Sequence, residues 1–193
     1  MTASPLKIGF DKEGFTAYMK KVNPRMFTHP ITKERTPILG VTLHNTYFPT
    51  LAMVIDYMDK NIGATKEWTA EQLIDNWWVN YIHMKWVSGP HIFVFPHKIY
   101  VACPLDMRGT HSPSYNKNYW GIEVVGDYAK EKLPDQIRDM TRHVAKTMFN
   151  QLAVKASDHN FRFHGEDPRT THKLCPGVNI GTKASWIASI NAA

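Results

Sequence analysis

Ten histidines, two cysteines and a glutamate set in an apolar run are the side chains with most chemistry to offer in this 193-residue chain. A catalytic zinc takes three nitrogen, sulfur or carboxylate ligands and keeps a fourth position open for water. Neither HExxH nor CxxC occurs. A lone histidine is more often a surface or hydrogen-bonded core residue than a ligand, so spacing alone selects no ligand set. Glu123 lies in the run 120–126, WGIEVVG. A carboxylate inside an apolar strand is costly unless it is paired or used. It is therefore either a general base or an edge-strand residue facing water. His172 and Lys173 share a polar loop. A cation there either stabilises an oxyanion beside a metal or is a solvated charge.

Periodicity outlines the elements that must position these residues. In ILGVTLH (38–44), Leu39, Val41 and Leu43 alternate with Gly40, Thr42 and His44, which predicts a strand ending at His44. Thr69 and Gln72 fit a capping box, and Leu73, Trp77 and Tyr81 recur at helical spacing, predicting a helix over 69–84. Residues 91–95 and 98–103, parted by Pro96 and His97, read as a hairpin. Residues 104–118 read as a loop. A strand over 120–126 sets Ile122 and Val124 on one face, with Gly121, Glu123 and Val125 on the other. Pro134 suits the first turn of a helix whose buried face is Ile137, Met140, Val144, Met148 and Leu152. A short strand over 161–164 carries His164 to its end, a loop covers 165–178, and a last helix covers 182–190. Residues 1–37 are basic and broken by Pro24, Pro30 and Pro37. They read as an N-terminal extension with one short helix over 12–21, ahead of a domain spanning 38–193. Strands and helices intermix, so the expected fold is α/β, a single domain with a central mixed β-sheet flanked by helices.

Composition bounds the function. The chain is 43% hydrophobic and 21% charged, ordinary for a globular domain that buries a core without disulfides. Cys103 and Cys175 need not pair, and synthesis in a reducing cytosol is expected. No apolar run is long enough for a transmembrane helix, and the first residues lack the apolar core of a signal peptide. No stable membrane insertion is expected, and action outside the cytoplasm would need release by another agent. The net charge of +6 favours an anionic partner such as a wall polymer, a membrane surface or nucleic acid. No DNA- or RNA-binding motif is present, so nucleic acid is not expected. Six Trp, eight Tyr and nine Phe supply mostly core, with some left for a groove suited to sugars and peptides.

Three segments occur in order: LHNT (43–46), WGIEVVGDY (120–128) and HGEDPRTTHKLCPG (164–177). Together they resemble the type 2 N-acetylmuramoyl-L-alanine amidases. That family includes small phage lytic amidases, cell-wall recycling amidases and animal peptidoglycan recognition proteins. The resemblance implies a zinc (Zn2+) site at strand ends, held by His44, His164 and Cys175. It implies Glu123 as general base and Lys173 as oxyanion stabiliser, with His172 competing for the second role. It implies His111 and Asn118 as substrate-binding residues. His91 joins that set as the neighbour of Pro90, and can equally be a core histidine. One departure stands out: lytic relatives carry a tyrosine just after the glycine of the second strand, where this chain has Pro90. Proline offers no phenol, and Glu123, often absent from those relatives, is expected to take over the role.

The function so implied is zinc-dependent hydrolysis of the amide between N-acetylmuramic acid and L-alanine in peptidoglycan. A monomeric phage endolysin, made in the cytoplasm and released to the host cell wall, is the favoured setting. The basic N-terminal third, the cysteine ligand and the compact plan support it. The alternatives are a cytoplasmic amidase recycling anhydro-muropeptides and a non-catalytic peptidoglycan-binding protein. Non-catalytic relatives typically lack the cysteine.

Overall fold

Residues 4–47 and 69–192 are described by the computed structural model, and every element expected within them forms. In chain order they are β1 (Ile8–Phe10), α1 (Lys12–Val22), β2 (Met26–Thr28), β3 (Arg35–Pro37), β4 (Gly40–Asn45), α2 (Ala70–His83), β5 (Ile92–Val94), β6 (Ile99–Val101), β7 (Tyr119–Val124), α3 (Asp135–Leu152), β8 (Phe161–Phe163) and α4 (Lys183–Asn191). Six strands make one sheet in the order β1-β6-β5-β7-β4-β8. Strands β5, β7, β4 and β8 pair in parallel, and β6 runs antiparallel to both β1 and β5. The sheet is therefore mixed and central, as expected.

Each face has its own core. Val41 and Leu43 of β4, Ile92 and Val94 of β5 and Ile122 and Val124 of β7 bury against α3, whose inner face is Ile137, Met140, Val144 and Met148. Phe93, Phe95 and Val125 face the other way, onto Leu73, Ile74, Trp77 and Trp78 of α2. The capping box of α2 is complete: the Thr69 hydroxyl accepts from Gln72 N at 3.2 Å, and Gln72 Oε1 accepts from Thr69 N at 2.6 Å. That alternation places Gly121 and Glu123 of β7, with Thr42 and His44 of β4, on the α2 side. No helix among the described residues is long and apolar enough to cross a membrane.

The structure shifts several boundaries. Pro134 is the N-cap of α3 rather than part of its first turn, with ψ 147°. Leu39 lies outside β4 and is 49% exposed, because the strand starts only where Gly40 meets β7. His164 opens a short 3-10 turn directly after β8.

The N-terminal extension is built into the domain rather than appended to it. β1 pairs with β6 and extends the sheet by one strand. Helix α1, capped by the Asp11 side chain accepting from Gly14 N, packs on α3. Strands β2 and β3 pair with each other in a separate two-stranded sheet. Phe15, Met19 and Phe27 are at most 1% exposed and belong to the same core as Trp120. Loss of a buried phenylalanine side chain costs about 3–5 kcal/mol. Phe15→Ala is therefore expected to lower the unfolding free energy of the whole domain by that amount in urea titration. A change near zero would show that the segment is only loosely attached.

Candidate active site

The parallel strands end together, and the site lies where they end. His44, next to last in β4, is 2% exposed and pairs in register with Glu123 of β7. His164 follows the last residue of β8, and β8 lies on the other side of β4. Cys175 comes from the loop after His164. One ligand atom from each of His44, His164 and Cys175 lies within 4.8 Å of the others, and all three residues are buried. Zinc bonds of 2.0–2.3 Å would set such atoms about 3.5 Å apart, so the donors need only small inward movements. Two imidazoles and a thiol suit zinc, and their nitrogens are prepared for it. His164 Nε2 is engaged by Thr170 Oγ1 at 2.9 Å and His44 Nε2 by His111 Nδ1 at 3.0 Å. The Cys175 sulfur accepts from the Asn45 backbone N–H and the Tyr47 hydroxyl.

Burial decides the charge states. It holds His44 well below the usual imidazole range, helped by His164, His111 and His172. It brings His164 to about 4 and His111 to about 3. These rings are neutral at pH 7, as metal ligation requires. Burial also raises the Cys175 thiol, with Glu123 adding to the effect. Glu123 is pushed up to about 8 by burial. Its Oε1 stands 3.8 Å from His44 Nδ1.

Asp167 ties down the loop that carries His164 and Cys175. Its carboxylate accepts from Ser112 Oγ (2.5 Å), Ser114 Oγ (2.6 Å), Ser114 N (2.8 Å) and Arg169 N (2.8 Å). Burial alone would raise this carboxyl, but the donors outweigh it and bring the pKa down to about 2. Gly165 N donates to Cys175 O at 2.8 Å, and a Cβ at Gly165 would lie 2.4 Å from Lys173 O. Only glycine permits that approach of the two ends of the loop.

A cleft of about 410 Å³ opens over the triad. His44, Glu123, His164 and Cys175 line it, with His111, Tyr47 and His172. Tyr81, Met84 and Trp86 form an apolar wall at the end of α2, where the Tyr81 and Trp86 rings stack at 4.8 Å. The remaining expected residues lie elsewhere. His91 is fully buried away from the cleft: Nε2 donates to Met107 O, Nδ1 accepts from Gly121 N, and its ring stacks on Phe27. It is a core histidine, so its substrate-binding placement is corrected. Asn118 donates to Pro37 O at 2.6 Å and does not line the cleft. Lys173 turns its ammonium back onto Asp167 O at 2.7 Å, because the same tight loop that presents Cys175 points residue 173 outward. His172 borders the cleft instead. Tyr47, Trp86 and Asp167 had no assigned role. Only Asp167 carried a local signal, as the first residue of an Asp-Pro turn.

The family model for N-acetylmuramoyl-L-alanine amidase matches residues 34–178. Among solved structures, the chain is similar to an endolysin N-acetylmuramoyl-L-alanine amidase, LysCS, from Clostridium intestinale URNW, with 17% identity and a TM-score of 0.57 over 89% of this chain and 88% of that one. It is similar to the Ph2119 endolysin of Thermus scotoductus MAT2119 bacteriophage Ph2119, with 19% identity and a TM-score of 0.55 over 82% and 87%. It also resembles a Drosophila PGRP-LB mutant in complex with tracheal cytotoxin, with 21% identity and a TM-score of 0.51 over 74% and 77%. At these identities the structural likenesses speak for the fold. No curated protein sequence matches at a significant level.

Removing the Asp167 carboxylate leaves several donors unpaired, at a cost of about 2–3 kcal/mol. Asp167→Ala is expected to be destabilised by that amount at neutral pH. The folded pKa is depressed, so the carboxylate's contribution is complete above the unfolded value of 3.8 and fades as pH falls through about 2. Urea titrations of both proteins should therefore converge toward pH 2. A gap that stays constant down to that pH would remove Asp167 as the anchor.

Proposed function

The chain belongs to the N-acetylmuramoyl-L-alanine amidase family, and on that premise we propose that it hydrolyses the amide between the lactyl group of N-acetylmuramic acid and L-alanine with zinc as cofactor. The observation that carries this reading is a buried carboxyl, Glu123, beside a buried His/His/Cys triad, all four lining one cleft. His44, His164 and Cys175 would hold the metal. When bound, zinc supplies a Lewis acid that polarises the carbonyl, makes water a better nucleophile at neutral pH and favours the ionised form of a nearby carboxylate.

The protein's own groups do the rest. Glu123 takes a proton from the attacking water as its oxygen bonds to the lactyl carbonyl carbon. It returns the proton to the alanine nitrogen as the C–N bond breaks. Burial lifts this carboxyl to about 8, and a cation bound beside it would bring it back toward the ionised form that a general base needs. An imidazole in either charge state keeps at least one N–H, so His172 at the cleft edge is the better placed donor to the carbonyl oxygen than Lys173, whose ammonium is engaged. The Tyr81–Trp86 wall offers aromatic faces to a sugar ring or a peptide. Peptidoglycan is the partner in this reading. The protein works as a monomer, released from the cytoplasm to the wall of a phage host. The endolysin likenesses support that setting.

Mass spectrometry of digested sacculi is expected to show free stem peptides beginning with L-alanine. Sugar-bond or peptide-bond cleavage products would overturn the assignment. Glu123→Gln keeps the shape and removes the base, and should lower kcat by about 10²- to 10⁴-fold. Chelation should abolish activity, and added zinc should restore it. Activity on soluble muropeptides without activity on intact sacculi would move the role from lysis to recycling.

A further inference from the structure

Behind His44 a chain of hydrogen bonds has only one consistent assignment of protons for neutral rings. The Tyr119 carbonyl can only accept, so His111 Nε2, 3.0 Å away, carries a hydrogen. A neutral imidazole has one ring N–H, which at His111 leaves Nδ1 as a bare lone pair. That nitrogen lies 3.0 Å from His44 Nε2, so the hydrogen between the two rings belongs to His44. A histidine that ligates a metal is neutral, so with its hydrogen on Nε2 the Nδ1 of His44 is bare. Nδ1 is the nitrogen that faces Glu123.

The His111 ring is held for this task from every side. Asn116 Oδ1 accepts from the backbone N–H of both His111 and Ser112 at 2.7 Å. The ring lies over Gly121, where a Cβ would come within 2.5 Å of its Cγ. It meets His44 edge-on, with centroids 5.1 Å apart and planes at 89°. His91 stands behind it at 5.9 Å, pinned to the backbone at both nitrogens. A side chain this confined, 4% exposed, with both nitrogens in use, has little left to give a substrate.

We propose that His111 is a positioning residue that fixes the tautomer and ring orientation of His44, so that Nδ1 presents its lone pair to the metal. The inference rests on the zinc reading above, and it replaces the substrate-binding role expected for His111. Partners that orient a ligating histidine typically contribute 10- to 100-fold to metal affinity.

Two near-isosteres separate the roles. In His111→Asn the amide oxygen stands where Nδ1 was and still accepts from His44. In His111→Gln the amide reaches the Nε2 position, keeps the partner of Tyr119 and leaves His44 Nε2–H without an acceptor. Zinc affinity, measured by competition with a chromogenic chelator, is expected to fall about 10- to 100-fold in His111→Gln and to stay within about threefold of wild type in His111→Asn. Wild-type affinity in both variants, with a raised KM on wall fragments, would overturn the proposal in favour of substrate binding. A second measurement needs no variant to fold: 15N NMR of the metal-free wild-type protein should show His44 as the Nε2–H tautomer. The Nδ1–H tautomer would overturn the proposal. A wild-type protein that takes up no zinc would overturn the metal reading beneath it. That failure is distinguishable, because the tautomer is read without metal.

Discussion

β4 is hydrogen-bonded to β7 on one side and to β8 on the other, both in parallel, so three chain segments far apart in sequence end at one edge of the sheet. The register sets His44 beside Glu123, and Leu43 beside Phe163, the residue before His164. A slip of one residue in the pairing with β7 would turn His44 or Glu123 to the opposite face, because side chains alternate along a strand. The buried faces forbid the slip. Val41, Leu43, Ile122 and Val124 pack against α3, and Phe93 and Val125 pack against α2. The hydrophobic core thus acts on the chemistry indirectly, by holding register.

Register brings polar groups into an environment that penalises charge, and the structure answers by keeping them neutral and bonded. His91, His111, His44 and His164 are all driven below the usual imidazole range by burial. In each, at least one ring nitrogen meets a backbone or side-chain partner. Glu123 is the exception, lifted by burial with no hydrogen bond among the described residues to offset it. A buried carboxyl is costly to keep, and strongly shifted groups in clefts mark candidate functional sites. Asp167 shows the contrary arrangement: surrounded by hydroxyls and amides, it stays ionised and spends its charge on loop geometry.

The segment before the family match broadens this framework. Residues 4–33 lie outside the matched region of 34–178, yet β1 extends the sheet beyond β6, and α1 lies against α3. The six-stranded sheet is therefore part family frame and part N-terminal addition, sharing one core around Phe15, Phe27 and Trp120. Strands β2 and β3 and the loop holding Asn118 meet through the Asn118 contact to Pro37. A residue expected to touch substrate instead fastens the addition to the domain.

Periodicity alone made the long elements legible. The capping box at Thr69, the apolar stripe from Ile137 to Leu152 and the alternation around His44 and Glu123 each reflect local burial repeated over several residues, which a linear pattern records. β1, β2 and β3 are three residues each with mixed burial and no flanking apolar run, so no pattern marks them, whereas the equally short β5 and β6 are buried throughout and sit within apolar runs. Motif order pointed to His44, His164, Cys175 and Glu123, where ten histidines at ordinary spacing pointed nowhere. Their convergence, however, is a property of the sheet: 120 residues part His44 from His164, and only parallel pairing through β4 and β8 brings them within reach. The surroundings of His91, His111, Lys173 and Tyr81 are likewise set by tertiary structure. Which backbone group meets a ring nitrogen, and which way a loop turns an ammonium, depends on neighbours the chain reaches only after folding.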